Sequence, residues 1–195
     1  TMDYSNLPQN RERVYIIGFL NKEDADKFDF YENIDNKKNK KTAQEREEDV
    51  KKILDTGITF KTNPEYYYTK EKYPNYFKED GVNLKKEITE RYQFYQCRRG
   101  LYVRKNKSNV CPTLTANMGT GGHNVPLILV EDGIRKLTPA ETFKLQGFPV
   151  GDSYKLPTEY KGKKYSNAHL YKQAGNAVSV DMITMIATEI LKILD

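Results

Sequence analysis

The chain has 195 residues and carries 32 lysine and arginine against 27 aspartate and glutamate residues, which gives a net charge of +5 at pH 7. Hydrophobic residues make up 37% of the chain, below the roughly 45–50% apolar content of ordinary globular proteins, so we expect a core that is thin or shared with a partner. No run approaches the roughly 20 apolar residues of a membrane helix, no leading segment suggests export, and two cysteines are too few for a disulfide scaffold, so we expect a cytoplasmic protein with no membrane partner.

The first predicted element is a strand at residues 14–20, which read Val-Tyr-Ile-Ile-Gly-Phe-Leu. This run is β-branched and aromatic, and it is nearly continuous instead of alternating with polar residues. Such a pattern is typical of a strand that is buried on both faces in a parallel or mixed sheet. A strand of this kind needs neighbouring strands, and the sequence offers too few, so we expect the chain to be part of something larger.

The middle of the chain, residues 21–100, is polar, charged and rich in tyrosine. A solvated helix is predicted at residues 42–54, and another short helix at residues 88–95. Between them, residues 66–78 alternate tyrosines with lysines. This alternation suits stacking on bases and contact with phosphates, but it is equally typical of a small domain that uses tyrosine as its core residue.

Two helices are predicted in the last third of the chain. Thr138 followed by Pro139 and Glu141 is typical of a helix start with a threonine cap and a glutamate at the third position, and this helix should end at Gly147. The last helix begins near residues 178–181 and has a broad apolar face. The other predicted elements of this part are strands at residues 101–104 and 125–130, a turn at 106–109 and an extended segment at 112–117.

Several residues that could carry chemistry have a simpler explanation. Residues 119–122 hold three glycines, but their spacing fits neither a dinucleotide fingerprint nor a P-loop, so a loop that approaches a ligand and a plain turn remain equally possible. Cys111 has no histidine or carboxylate nearby in sequence and is expected to be a small buried apolar residue. His123 and His169 share no spacing that indicates a metal site.

Arg11 and Arg13 lie two residues apart, directly before the predicted strand. In an extended segment both side chains point to the same side, where they suit phosphates, carboxylates or the acceptors of base edges. Taken alone, the pair is more simply explained by a surface ion pair with Glu12 or another neighbour.

Three longer stretches, in order, resemble conserved motifs of the cytosine-C5 DNA methyltransferases. Residues 8–19, Pro-Gln-Asn-Arg-Glu-Arg-Val-Tyr-Ile-Ile-Gly-Phe, resemble the eighth motif, Gln-x-Arg-x-Arg followed by a strand. Residues 134–149 resemble the ninth motif, and residues 171–178, Tyr-Lys-Gln-Ala-Gly-Asn-Ala-Val, resemble the tenth. In this family the target-recognition domain lies between the eighth and ninth motifs.

The resemblance implies a mixed α/β fold in three parts. Residues 1–20 are a catalytic-domain strand with the eighth motif, and residues 21–130 are a small β-rich target-recognition domain. Residues 131–195 carry the ninth and tenth motifs and the helix that returns to a Rossmann-like catalytic domain. The resemblance also implies a DNA (cytosine-5-)-methyltransferase, with restriction-modification as its setting and S-adenosylmethionine as its cofactor.

The family's earlier motifs, including the Pro-Cys nucleophile, are missing from the chain. Cys111-Pro112 is that dipeptide reversed, and Glu32-Asn33-Ile34 imitates the Glu-Asn-Val motif, but both stand in the wrong order. The chain is therefore interpreted as the C-terminal region, inactive alone, with the catalytic cysteine and most of the cofactor site on a missing N-terminal part. The alternatives are a stand-alone DNA-binding module and one subunit of a split methyltransferase.

The resemblance also assigns roles to single residues. Arg13 is expected to contact the cytosine flipped out of double-stranded DNA, and Arg11 to brace the nucleophile loop or a phosphate. Asn176, Ala177 and Val178 are expected beside the cofactor. Many relatives carry arginine where this chain has Ala140, so another group must hold the recognition domain if that arginine does so. Arg98 and Arg99 are expected to contact phosphates. The candidates for DNA binding are Arg104, Asn106, Thr113, Thr115, Asn117, Thr120, His123 and Asn124.

Overall fold

The structure, a computed structural model, describes residues 2–34, 40–98, 100–119 and 125–194. These residues form a mixed α/β fold with a small antiparallel sheet and a long C-terminal helix. Three-residue 3-10 turns stand at Pro64–Tyr66, Pro74–Tyr76 and Lys107–Asn109. The helices are α1 (Lys22–Lys27), α2 (Phe30–Asn33), α3 (Ala43–Ile53), α4 (Leu84–Glu87), α5 (Pro139–Lys144), α6 (Asn167–Asn176) and α7 (Val180–Leu194). The strands are β1 (Phe94–Arg98), β2 (Tyr102–Lys105), β3 (Leu127–Val130), β4 (Gly133–Lys136), β5 (Glu159–Tyr160) and β6 (Lys163–Lys164).

The four-stranded sheet has the order β2-β1-β3-β4, with every neighbouring pair antiparallel, while β5 and β6 form a separate hairpin. Because side chains alternate along a strand, each face of the sheet serves a different core. On one face Phe94 and Ile128 join the larger apolar cluster, which also includes α3, α5 and α6 residues. On the other face Tyr95 and Leu127 join a smaller cluster.

The tyrosine-rich segment builds this smaller core. Tyr68 is buried, its ring stacks on Tyr73 at 4.5 Å between centroids, and Tyr76 meets both rings edge to face. Burial raises the pKa of Tyr68 well above its ordinary value. Tyr66 and Tyr67 are buried in the larger cluster. Of the two interpretations, the use of tyrosine as a core residue is therefore the one that the structure supports.

Two helices begin as the sequence predicts. In α3 the side chain of Thr42 accepts a hydrogen bond from the backbone N–H of Glu45, and the Glu45 carboxylate accepts one from the backbone N–H of Thr42. Thr138 and Glu141 form the same reciprocal arrangement at the start of α5. Beyond α5 the chain turns at Gly147, whose φ of +88° is one that other residues rarely adopt.

The chain passes close to itself at a neck between residues 8–10 and 111–113. The backbone N–H of Cys111 donates to the Pro8 carbonyl at 2.6 Å, and that of Asn10 donates to the Cys111 carbonyl at 2.8 Å. Gln9 and Cys111 form a parallel bridge, and the Thr113 hydroxyl donates to the Asn10 carbonyl at 2.7 Å. The predicted motif near the N-terminus is thus tied directly to residues 111–113.

Two predicted elements are wrong. Residues 14–20 form no strand, and Val14, Ile16 and Leu20 are almost fully exposed. A strand is held by hydrogen bonds to a neighbouring strand, and no segment among the described residues pairs with this one. Residues 88–95 do not form a helix, because Phe94 and Tyr95 open β1 and point into opposite cores.

The C-terminal helix α7 is amphipathic, but its apolar face is wider than the surface it covers. Met182 and Ile186 are buried, whereas Ile183, Leu191 and Leu194 remain exposed on an adjoining stripe. The end of the chain thus presents apolar surface similar in kind to that at residues 14–20. In the described part of the chain no helix is long and apolar enough to cross a membrane.

Candidate nucleic-acid interface

A polar cleft of about 470 Å³ lies between β1, β2 and the segment that follows the neck. Five of the eight predicted DNA-binding residues line it together, whereas Thr120, His123 and Asn124, like the predicted phosphate contact Arg99, lie outside the described residues. No acidic residue belongs to this lining within the described chain. We call this site the polar cleft; its lining residues are Asn10, Gln96, Arg98, Arg104, Asn106, Pro112, Thr113, Thr115 and Asn117.

The sheet register places the charged residues of the cleft. Gln96 and Arg98 lie two residues apart on β1 and therefore share a face. Arg104 of β2 lies directly opposite Gln96 in the register, so it belongs to the same face. The alternate residues, Tyr95, Cys97 and Val103, turn to the smaller core. The cores thus fix which polar side chains face the cleft.

Four of the predicted DNA-binding residues use their polar groups within the fold. The Asn106 side-chain amide donates to the Val110 carbonyl, which closes the turn after β2. The Thr113 hydroxyl is engaged at the neck, and the Thr115 hydroxyl donates to the Asn117 side chain at 2.6 Å. These side chains shape the cleft before any partner binds.

Arg11 is buried and joins three separate parts of the chain. One terminal nitrogen of its guanidinium donates to the Leu114 carbonyl at 3.0 Å, beside the cleft. The other donates to the Gly175 carbonyl at 3.0 Å and the Ala177 carbonyl at 2.6 Å. Burial, reinforced by the charge of Arg13, lowers the pKa of Arg11 to about 10. The guanidinium remains charged at neutral pH and holds the three backbone segments together.

Gly175 is the point of closest approach between the tenth-motif segment and the cleft. A Cβ atom built on Gly175 would lie 2.3 Å from the backbone oxygen of Thr115 and 2.7 Å from the nitrogen of Ala116. Real Cβ atoms do not approach backbone so closely, so only glycine fits at this position. The segment that carries Asn176, Ala177 and Val178 is therefore fitted directly against the loop that lines the cleft.

Arg13 and the predicted cofactor residues lie at the surface. The Arg13 guanidinium donates only to the adjacent Glu12 carbonyl, at 2.5 Å, among the described residues, so the predicted ion pair with a neighbouring carboxylate is absent there. Asn176 and Val178 are exposed at the end of α6, and Ala177 is half-buried between them. The side chains of Asn176 and Val178, which flank the Ala177 carbonyl held by Arg11, are thus accessible to a ligand.

A buried ion pair supports the region behind the cleft. Arg135 of β4 and Glu141 of α5 form two hydrogen bonds at 2.7 and 2.8 Å, and both side chains are almost completely buried. Glu141 also accepts from the backbone N–H groups of Asp55 and Thr138, each at 2.8 Å. Burial opposes the charge of Arg135, but the hydrogen bonds and charge of Glu141 outweigh it and hold the pKa of Arg135 above its ordinary value. Ala140 lies beside this pair in sequence.

Cys111 is fully buried in the larger core, and burial raises the pKa of its thiol well above its ordinary value. A nucleophilic cysteine needs an accessible thiolate, so the expectation of a small buried apolar residue holds. No group of histidine, cysteine, aspartate or glutamate residues in the described part of the chain is arranged to hold a metal ion.

Sequence reasoning missed two polar residues of the cleft, Asn10 and Gln96. Gln96 is surrounded in sequence by core residues, and its direction follows only from the pairing of β1 with β2. Asn10 stands between Gln9 and Arg11 in the first motif, and only the neck brings it to the cleft. Arg98 was expected to contact phosphates, and its place on the cleft is compatible with that role.

A family model described as C-5 cytosine-specific DNA methylase matches residues 2–192. The chain is 44% identical over 190 residues to the Type II methyltransferase M.Bsp6I of Bacillus sp. (strain RFL6), covering 97% of this chain and 52% of that protein. It is 30% identical over 200 residues to the Type II methyltransferase M.HpaII of Haemophilus parainfluenzae, covering 95% and 47%. It is 31% identical over 194 residues to the Type II methyltransferase M.NlaX of Neisseria lactamica, covering 94% and 48%. The chain thus spans about half the length of the curated relatives it matches.

Proposed function

Because the chain belongs to the family of C-5 cytosine-specific DNA methylases, we propose that it is the C-terminal region of a DNA (cytosine-5-)-methyltransferase of a restriction-modification system. Residues 21–130 read the DNA target in this proposal. Residues 1–20 and 131–195 return to a Rossmann-like catalytic domain, whose other part carries the catalytic cysteine. The relatives' extra length, about as long again as this chain, leaves room for that part.

The observation that carries the proposal is the polar cleft. It exposes two arginines without an acidic lining residue in the described chain, and backbone phosphates of DNA attract such a surface. Its other lining groups are amides and hydroxyls, which suit base edges and phosphate oxygens. Asn10 lines the cleft three residues before Arg13, so the surface proposed to hold the duplex and the residue proposed to hold the target base lie on one short segment.

Arg13 is proposed to act on the extruded cytosine. The reacting carbons of a cytosine are inaccessible within the stack, so the base must leave the duplex. Negative charge develops on the pyrimidine carbonyl as the nucleophile adds to the ring, and a guanidinium that donates hydrogen bonds there stabilises it. The exposed Arg13 side chain is available for this contact without breaking any tertiary interaction among the described residues.

The residues after α6 fit one edge of a cofactor site. Asn176 offers both a donor and an acceptor at the surface, Val178 offers an exposed apolar side chain, and Arg11 holds the Ala177 carbonyl that lies between them. S-adenosylmethionine supplies the methyl group when it is bound. Most of its contacts are proposed to come from the other part of the enzyme.

The exposed apolar surfaces are proposed to bind that other part. Val14 and Ile16 are 89% and 94% exposed, and the stripe of α7 with Ile183 and Leu191 adds further apolar area. Exposed apolar surface of this kind marks an interface. For a substitution of Ile183 in this apolar stripe, Thr188 is a matched control position, because it is exposed on the neighbouring polar stripe of α7.

The test is transfer of labelled methyl groups from S-adenosylmethionine to mixed-sequence DNA. The chain is assayed alone and after mixing with the complementary half of the Bacillus sp. relative. We expect transfer only in the mixture, with Ile183→Glu preventing it and Thr188→Glu leaving it intact. Transfer by the chain alone would contradict the absence of the nucleophile. If the two halves associate on DNA but the mixture transfers no methyl groups, the result would favour the stand-alone DNA-binding module.

A further inference from the structure

The polar cleft contains side chains that the fold leaves uncommitted. Among the described residues, the side chains of Asn10, Gln96, Arg98 and Arg104 make no hydrogen bond and no ion pair, although they line the same cleft as the engaged Asn106, Thr113 and Thr115. The neighbouring Lys105 differs, because it is paired with Glu90. An amide or guanidinium without an internal partner is available to a ligand.

Gln96 is the most informative of these side chains. It is only 9% exposed, it lines the cleft, and it lies directly opposite Arg104 in the sheet register. Its amide lines the cleft and has no internal partner among the described residues, so it is available to gain one when the cleft is filled. Cross-strand neighbours have their Cβ atoms about 5 Å apart, which brings the end of Arg104 within reach of the Gln96 oxygen.

We propose that Arg104 reads a guanine in the major groove and that Gln96 is the positioning residue for its guanidinium. This inference rests on the proposed function. The Gln96 oxygen accepts one N–H of Arg104, and two further N–H groups of the planar fork then face the O6 and N7 acceptors of guanine. Arginine has five donors, so both contacts form at once.

The register separates Arg104 from Arg98. Arg98 is the last residue of β1 and lies opposite Tyr102, which is exposed, so nothing buried holds its guanidinium in one direction. A cation that is free to swing suits phosphates, which carry no sequence information. Of the two arginines, only Arg104 lies directly opposite Gln96 in the register. The two arginines on one cleft therefore have different roles, with Arg98 as the phosphate contact.

The neck limits where this guanine lies relative to the methylated cytosine. Arg13 follows Asn10 by three residues, and three residue steps span no more than about 11 Å when fully extended. That length corresponds to about three base-pair steps of 3.4 Å. Allowing for the width of the cleft, the guanine lies within roughly half a turn of the duplex, or about five base pairs, of the target cytosine.

The experiment selects bound duplexes from a library with a randomised segment, using the full chain and gel separation, and then sequences them. Arg104→Lys keeps the charge but removes the planar fork, and Arg98→Lys is the matched control. We expect the wild-type protein to enrich one guanine position. Arg104→Lys should lose this preference about 5- to 150-fold, the range of a bidentate base contact. Arg98→Lys should keep it.

Gln96→Leu tests the positioning role. It removes the amide at nearly constant volume, and we expect a weaker guanine preference with an unchanged dependence of affinity on salt, because no phosphate contact is lost. A simple structural role would instead lower the affinity for all duplexes equally. Retained guanine preference in Arg104→Lys, or its loss in Arg98→Lys, would overturn the inference.

Two outcomes separate this inference from the proposed function. If the wild-type chain binds every duplex equally, the reading role is refuted while the DNA interface stands. If the chain binds no duplex, the proposed function fails and the inference fails with it. In the mixture with the complementary half, mapping the methylated product then measures the distance from cytosine to guanine, and a distance beyond half a helical turn contradicts the geometric argument.

Discussion

Replacing Glu141 by glutamine should strongly destabilise the protein. The substitution keeps the shape of the side chain but removes the charge that pairs with Arg135, and both groups are almost completely buried. Glu141 accepts four hydrogen bonds, two from Arg135 and one each from the backbone of Asp55 and Thr138. Breaking a buried ion pair by removing one partner costs about 3–5 kcal/mol, because the other charge stays buried without compensation. That is a large share of the roughly 5–15 kcal/mol that stabilises an ordinary domain.

Urea denaturation followed by circular dichroism measures this loss as a lower midpoint at constant slope. Glu90→Gln is the matched control, since Glu90 pairs with Lys105 at the surface, where water screens the interaction. The control should leave the midpoint nearly unchanged. A free-energy loss below about 1 kcal/mol for Glu141→Gln, in the range of a surface pair, would refute the reasoning.

The double variant Arg135→Met with Glu141→Leu separates charge from hydrogen bonding. Replacing both members of a buried pair by apolar residues is often neutral, because no charge is left behind. Here the backbone N–H groups of Asp55 and Thr138 lose their acceptor, at about 1–3 kcal/mol for each buried donor. Because these two losses together reach about 2–6 kcal/mol, we expect at most a partial recovery relative to Glu141→Gln. Full recovery would show that these two backbone contacts contribute little.

Three further predictions follow from the site. Gly175→Ala should lower the free energy of unfolding by about 1–3 kcal/mol, because its Cβ atom meets the Thr115 backbone, while Gly18→Ala should be neutral, because nothing lies within 4 Å of its added Cβ atom; urea midpoints compare them, and equal midpoints would contradict the close approach. The Cys111 thiol should resist thiol reagents in the native state and react only after unfolding, because its raised pKa keeps it protonated as pH rises through the ordinary range of thiols; rapid native labelling at Cys111, with Cys97 replaced by alanine as reference, would refute this. In the mixture with the complementary half, Arg13→Gln should reduce methyl transfer by about 100- to 1000-fold, as losing a donor to developing charge does, with no change in the urea midpoint; unchanged transfer would remove Arg13 from the reaction.

Elements with local signals could be predicted from the sequence. The capping residues of α3 and α5 and the apolar periodicity of α7 act within a few residues, so a short window contains the cause of each helix. Strand β1 is held by hydrogen bonds to β2 and β3, and neither strand lies within residues 88–95. The local sequence therefore predicted a helix there, although Phe94 and Tyr95 begin a strand. The predicted strand at residues 14–20 failed for the opposite reason: its composition favours a strand, but no partner strand lies beside it among the described residues.

The candidate site could be predicted in its residue types but not in its grouping. The resemblance pointed to Arg104, Thr113 and Thr115 by their place in the chain, and the structure brings them to one cleft. Gln96 could not be found, because a glutamine between two core residues has no direction until the register with β2 is known. Arg11 looked like half of a surface pair, yet three carbonyls from distant positions surround it. Such contacts depend on tertiary structure alone.

The neck between residues 8–10 and 111–113 has a consequence for how the protein could change over time. The chain leaves the neck at Asn10 and returns to it at Cys111, so the hundred residues between them form one long insertion whose two ends lie side by side. The entropic free-energy cost of closing such a loop rises by only about 0.6 kcal/mol when the length of the loop doubles. Segments of very different length can therefore be exchanged within it at little thermodynamic cost, provided that the neck and the pairing edge of β3 are kept. A transplanted segment that begins after Arg13 and ends before Cys111 would arrive with its ends already held at the neck, so under the proposed function a new DNA specificity could be acquired without replacing Arg11 or Arg13.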